Sequence, residues 1–258
     1  GAKLFIYASM SNTTWPEYGG LINVGGDIHV YSNSTIYPWA HSTSGGIVQI
    51  RAKNLTVYGS INADSGGWRW EWGNAGYRPD TNPKGGAGYY RGGGGYGGNG
   101  GYVHDTVEYE KGLAWGSSNL PALPGAGGGG YGGKGGGLIR VVADGDIRLY
   151  GTLTANGQNA GYQYTGGGSG GAIYLDCRRF LGYGGSLQAK GGSHGSVNGA
   201  GGGGGRIAIW RIGRLSGGII TCNVDGNADW TGIYAGQTGT FCYCDAPDPE
   251  SAVLLLVR

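Results

Sequence analysis

Several of the residues that usually announce a function are scarce in this 258-residue chain. It has one methionine, three phenylalanines, eight prolines and four cysteines. Asp, Glu, Lys and Arg make up 13% of it, about half the usual quarter. With 18 basic and 16 acidic residues the net charge is +2, so there is no basic footprint for nucleic acid. No run of 18 apolar residues occurs, which leaves no candidate for a membrane-spanning helix. Proline is too rare, and Gly-X-Y too irregular, for collagen.

Glycine is what the chain has in excess, 63 residues of 258, or about 24% against a usual ~7%. Each glycine inside a helix costs about 1 kcal/mol, so long helices are excluded. Aromatic residues at 12% and the near-neutral charge separate the chain from disordered low-complexity sequences.

Repetition supplies the architecture. Four strand-like segments, LIRVVA, AIYLDC, RIAIWR and TFCYCD, follow Gly137, Gly171, Gly205 and Gly239 at intervals of 34 residues. Apolar side chains alternate along each, so Ile139 and Val141, Ile173 and Leu175, Ile207 and Ile209, and Phe241 and Tyr243 would form one inward ladder. A second short strand is expected at Leu153 and Ala155, Leu187 and Ala189, and Ile220 and Cys222. An earlier copy, Gly45–Gly67, has Val48, Ile50, Ile61 and Ala63 in the same places, and GGDIHVYS from Gly25 reads as an additional strand. These features predict an all-β single domain, 1–258. It would be a β-solenoid-like stack of strand pairs, regular over 133–244, with a large insertion at 68–130 and a C-terminal extension strand at 245–258.

Between the strands run glycine-rich segments such as 166–171 and 199–205. Stacked strands lie about 4.8 Å apart, and return arms packed at that spacing leave little room for a Cβ, as at the collagen axis. Tyr96, Asn99 and Tyr102 recur every third residue with glycine between them. That period fits a polyglycine-II-type helix with side chains on one edge.

The pattern of 133–240, above all GAGGGGGRIAI at 199–209, resembles the glycine-rich repeats of large secreted bacterial surface proteins. That resemblance implies a structural, β-solenoid-like role with no active site. The glycine arms with aromatic edges bear a looser resemblance to the polyglycine-helix adhesin tips of phage tail fibres. Residues 1–44 and 68–130 match neither.

Cys177, Cys222, Cys242 and Cys244 are even in number and confined to the last third of the chain, which predicts two disulfides of undetermined pairing and an oxidising compartment. The chain opens on Gly1 rather than Met, as expected after removal of a leader. Asn12, Asn33 and Asn54 are candidate glycosylation sites. The expected location is therefore extracellular, secreted or on a cell surface.

Catalytic patterns are weak. Gly-x-Ser-x-Gly occurs around Ser169 and Ser193, but at this glycine content about one such match is fortuitous, and neither serine lies on a strand-to-helix elbow. GGGGYGGKG has Gly135 where a phosphate loop needs Ser or Thr. DGNAD, with Asp225, Asn227 and Asp229, has the spacing of a calcium loop but lacks its glycine and closing glutamate, at Trp230 and Gly236. His104, Asp105, Glu108 and Glu110 form the densest acidic group and suit a solvated strand face. No enzyme, cofactor or metal is expected.

Two features point to partners. Trp68, Trp70 and Trp72 would line one face of a strand, as a glycan-stacking surface, an interface or a core. Both chain ends are apolar, with Leu4, Phe5 and Ile6 in one and Val253, Leu254, Leu255, Leu256 and Val257 in the other. Open stack ends invite strand addition, and head-to-tail contacts that do not close give filaments. The expected role is thus a self-assembling subunit of an extracellular filament. The alternative is an adhesin that recognises a glycan or a surface protein.

Overall fold

A computed structural model of the chain describes residues 1–10, 19–69, 88, 91–103, 111–194, 198–212, 217–227 and 234–246. Among them there are sixteen strands and no helix, so none is long and apolar enough to cross a membrane. Every strand pairing among the described residues is parallel.

The strands form three sheets. Sheet A holds β1 (Lys3–Tyr7), β4 (Thr35–Trp39), β7 (Ser60–Asn62), β10 (Thr152–Thr154), β13 (Ser186–Gln188) and β15 (Thr221–Asn223). Sheet B holds β2 (Gly20–Asn23), β5 (Val48–Ala52), β8 (Leu138–Ala143), β11 (Ala172–Cys177), β14 (Arg206–Ile212) and β16 (Thr240–Ala246). Sheet C holds β3 (Ile28–Val30), β6 (Leu55–Val57), β9 (Asp146–Leu149) and β12 (Arg179–Gly182). From β2 onward the chain visits B, then C, then A, and returns to B beside its previous strand. After β14, a single bridge from Gly217 to Leu181 stands in for the sheet C strand.

The expected strand pair is therefore corrected to a triplet. Sheet C is short, and β9 and β12 follow β8 and β11 after only two residues and one residue, so in sequence they look like tails of those strands. The 34-residue spacing is the register itself: Ile139 pairs with Ile173, Ile173 with Ile207, and Ile207 with Phe241. Ile50 of β5 pairs directly with Val141 of β8, so 68–130 leaves and re-enters between two neighbouring strands.

Alternation places one residue of each pair inside. Val57, Ile61, Val141, Ile147, Leu149, Leu153, Leu175 and Leu187 are fully enclosed between the three sheets. A second, smaller core covers the outer face of sheet B. There Leu138, Ala172, Tyr174 and Ala208 lie under Tyr96 and Trp115 of the insertion. Arg206 ties the two layers. It donates to the Trp115 carbonyl from Nε (3.1 Å) and Nη2 (2.8 Å) and lies 5.6 Å from the Tyr96 ring centre. Trp210 Nε1 donates to the Asn119 carbonyl at 2.6 Å. Tyr96 is buried in this layer rather than on an exposed edge of its arm, and burial drives its hydroxyl pKa upward.

The glycine segments form an ordered layer of backbone. Gly94 N donates to Gly167 O (2.9 Å), Gly203 N to Gly94 O (2.8 Å) and Gly170 N to Gly203 O (2.9 Å). Arms from the insertion and from successive turns thus satisfy one another, as buried backbone must.

Candidate functional site

Among the described residues the sheets end on uncovered strands, and the burial of the ladders changes abruptly there. In sheet A the inward ladder runs Leu4, Ile36, Ile61, Leu153, Leu187, Cys222. Ile61, Leu153 and Leu187 are 0% exposed, whereas Leu4 at the end is 52% exposed. In sheet B the ladder runs Ile50, Val141, Leu175, Ile209, Tyr243. Val141, Leu175 and Ile209 are 0% exposed, and Tyr243 is 40%. Phe241 is uncovered in the same way, and Ile219, between β14 and β15, is more exposed still. These side chains occupy core positions without a next turn to cover them among the described residues. The strands bearing them, β1 at one end and β15 and β16 at the other, are sheet edges with one ladder of backbone groups unpaired within the described residues.

Of the residues expected at an interface, Leu4 and Ile6 face the core direction at one end. Phe5 points outward and stacks on Tyr37, with ring centres 4.6 Å apart. Tyr7 and Trp39 extend this outward cluster, in edge contact at 5.2 Å. Residues 253–257 lie outside the described residues. Sequence reasoning overlooked Ile219, and it read Phe241 and Tyr243 as ordinary ladder members.

The remaining candidates disperse. Trp68 is 1% exposed and packs against Gly45, so it is a core residue and presents no ring to a ligand; Trp70 and Trp72 lie outside the described residues. Ser169 is buried, accepting from Ala126 N at 2.9 Å and donating to Ala126 O at 3.3 Å. Its role is to join two arms. Ser193 hands its backbone N–H to Asn159 Oδ1 at 2.8 Å. Asp225 and Asn227 line a cleft of about 270 Å³ with Asn156 and Lys190. Among the described residues no group of three or more His, Cys, Asp or Glu side chains is placed to hold a metal ion. Asp229 and residues 104–110, with Glu108 and Glu110, lie outside the described residues, as does Asn12. Asn33 is exposed at a turn with φ 64°. The Asn54 side chain is engaged at both ends, donating to Asp27 Oδ1 and accepting from Asp146 N, each at 2.8 Å.

The expected disulfides are corrected to four free thiols. The register explains it. Cys177 and Cys222 face inward from different sheets, while Cys242 and Cys244 face outward from β16. Cys242 and Cys244 bring their sulfurs to 3.4 Å. However, alternate residues of an extended strand have Cα atoms about 6.6 Å apart, near the limit a disulfide spans. Burial pushes the Cys177 and Cys242 thiols up to about 12.

Comparison with protein-family models, with curated proteins and with solved structures finds no match to this chain.

Proposed function

We propose that the protein is a structural subunit of an extracellular filament or surface appendage, a β-solenoid-like stack with polyglycine-II-type return arms that polymerises head to tail. The observation that carries this reading is the exposure of core-ladder residues at opposite ends of the stack, Leu4 on sheet A and Phe241 and Tyr243 on sheet B. Parallel strands make the two ends different but compatible. The β15 and β16 edges of one copy run in the same direction as the β1 and β2 edges of the next. Docking β15 on β1 and β16 on β2 would continue the backbone ladders and both apolar ladders, placing Leu4 over Cys222 and Ile22 over Tyr243. Such a contact is heterologous and does not close on itself. The apolar segment 251–258 suits the added strand of a neighbour. The extracellular setting rests on the resemblance of 133–240 to secreted surface repeats.

An adhesin remains the second reading, favoured by the outward cluster of Phe5, Tyr7, Tyr37 and Trp39, which offers ring edges and faces to a glycan or protein.

Electron microscopy of three purified proteins tests the proposal: the full chain, a variant lacking 251–258, and Leu4→Asp. Filaments are expected from the first and short or discrete particles from the other two. Filaments from the truncated chain but not from Leu4→Asp would remove strand exchange and keep end-on stacking. Discrete particles from all three at high protein concentration would refute the filament reading and favour the adhesin.

A further inference from the structure

The outer face of sheet C carries a second, unrelated arrangement. Asp146 begins β9, with its carboxylate almost enclosed at 5% side-chain exposure. Arg179, its direct partner on β12, donates to it twice, Nε to Oδ1 and Nη2 to Oδ2, both at 2.7 Å. Arg148, two residues further along β9, donates to Oδ2 as well. The carboxylate is itself held in place, because Asp146 N donates to Asn54 Oδ1. One buried acid therefore fixes two guanidinium groups that are still 34% and 48% exposed. Each guanidinium has five N–H groups, and these bonds use one on Arg148 and two on Arg179. Both side chains line a cleft of about 570 Å³, with Arg178 and Asn54 also in its lining.

Tyrosines stand beside this cleft. Tyr58, Tyr150 and Tyr183 follow β6, β9 and β12 at the same corner, half-exposed and stacked along the axis. Ring centres are 4.6 Å apart for Tyr58 and Tyr150, and 4.5 Å for Tyr150 and Tyr183. Tyr150 is two residues past Arg148, just beyond the end of β9.

We propose that this face is a binding site for an acidic polysaccharide, with Arg148 and Arg179 taking the carboxylate or sulfate groups and the tyrosine stack lying along the sugar rings. Pre-fixed guanidinium forks suit planar or tetrahedral oxyanions, and their immobilisation by Asp146 removes an ordering cost from binding. Phenol edges and hydroxyls suit the mixed apolar and polar surface of a sugar. The repeat of the stack over successive turns fits a polymer better than a single sugar. The site lies on the outer face of sheet C and shares no residue with β1, β2, β15 or β16, so it does not depend on end-on assembly.

Affinity electrophoresis in gels containing polygalacturonate, dextran sulfate or neutral dextran tests this on the full chain. Retardation is expected from at least one polyanion and not from dextran, and which polyanion acts identifies the oxyanion. Arg148→Gln and Arg179→Gln should each weaken binding tenfold or more. Lys134→Gln, an exposed change on a glycine arm, should leave binding unchanged. Because the arginine variants expose Asp146 to loss of its partners, Tyr150→Ser/Tyr183→Ser provides a change at half-exposed positions, and it too should weaken binding several-fold. No retardation by either polyanion would overturn the site. So would equal losses from Lys134→Gln and the arginine variants, which would signal general charge attraction, or full binding by the tyrosine pair variant.

Discussion

Gly94→Ala is the sharpest probe of the glycine layer. A Cβ at Gly94 would stand 2.5 Å from Ala126 O and 2.9 Å from Gly127 O, closer than real methyl contacts come. Both obstacles are backbone, so neither can rotate away. Gly94 also holds two of the bonds that join arms, donating to Gly167 and accepting from Gly203. Moving the arm aside forfeits those two bonds, at about 1 kcal/mol each, and adds overpacking strain of about 1–3 kcal/mol. The total is about 3–5 kcal/mol. With an unfolding entropy of about 2.1 cal/mol/K per residue, a chain of 258 residues would melt about 6–9 °C lower. Two controls separate sterics from backbone preference. Gly161→Ala meets nothing within 4 Å and should fall within about 0.5 kcal/mol of the parent. Gly184→Ala has equal room but φ +80°, which isolates a left-handed penalty of about 1–2 kcal/mol. Calorimetric melting of the three variants reads the order directly. If Gly94→Ala melts with Gly161→Ala, the arms are not packed backbone to backbone and glycine is there for some other reason.

The Asp146 carboxyl is held below the usual range, first by its hydrogen bond from Arg179 and then by the charge of Arg148. A depressed folded-state pKa gives stability that is present above the unfolded value near 4 and lost as pH falls through the folded one. The melting-temperature gap between the parent and Asp146→Asn should therefore be widest at neutral pH and close in acid, and a gap that widens below pH 4 contradicts it. Cys177 is 3% exposed with its thiol pushed up to about 12. Iodoacetamide at pH 8 should leave it unmodified in the folded protein and alkylate it after denaturation, as read by peptide mass mapping. Equal rates in both states would rule out the burial.

Sheets A and B were legible because their apolar pairs recur at fixed spacing: Ile139 and Val141 return as Ile173 and Leu175, and Leu153 as Leu187. Sheet C was not. Ile147, Leu149 and Phe180 alternate just as well, but only Asp144 and Gly145, or Arg178 alone, separate their strands from the preceding ones, and so short a break reads as continuation. The adjacency of β5 and β8 across the insertion was legible, since Val48 and Ile50 share the pattern of the later turns. Where the insertion goes was not. Tyr96 and Trp115 cover Leu138, Ala172 and Ala208, whose burial on the outer side of sheet B shows only weakly as small and apolar residues at positions expected to be polar. Asp146, Arg148 and Arg179 were missed for a related reason. They are 33 residues apart or less in sequence but meet only through the sheet C register, which was not anticipated.

The covering of sheet B decides where recognition can occur. Its inner face belongs to the main core and much of its outer face to the second, so ligands are left the outer faces of sheets A and C and the two ends. Among the described residues the ends expose apolar side chains and strand edges, which suits another polypeptide. The outer face of sheet C is charged and fixed by a buried acid, which suits a polar, anionic ligand. The outer face of sheet A, beyond its aromatic cluster, is a ladder of Thr35, Ser60, Thr152, Ser186 and Thr221, too weakly featured to discriminate a partner by itself. Contacts at an end and on the side of a stack share no residues, and changes that share no partners act additively. End-on assembly and polyanion binding can therefore each fail without the other, and a subunit that did both would carry its ligand site once per copy along the whole length of a fibre.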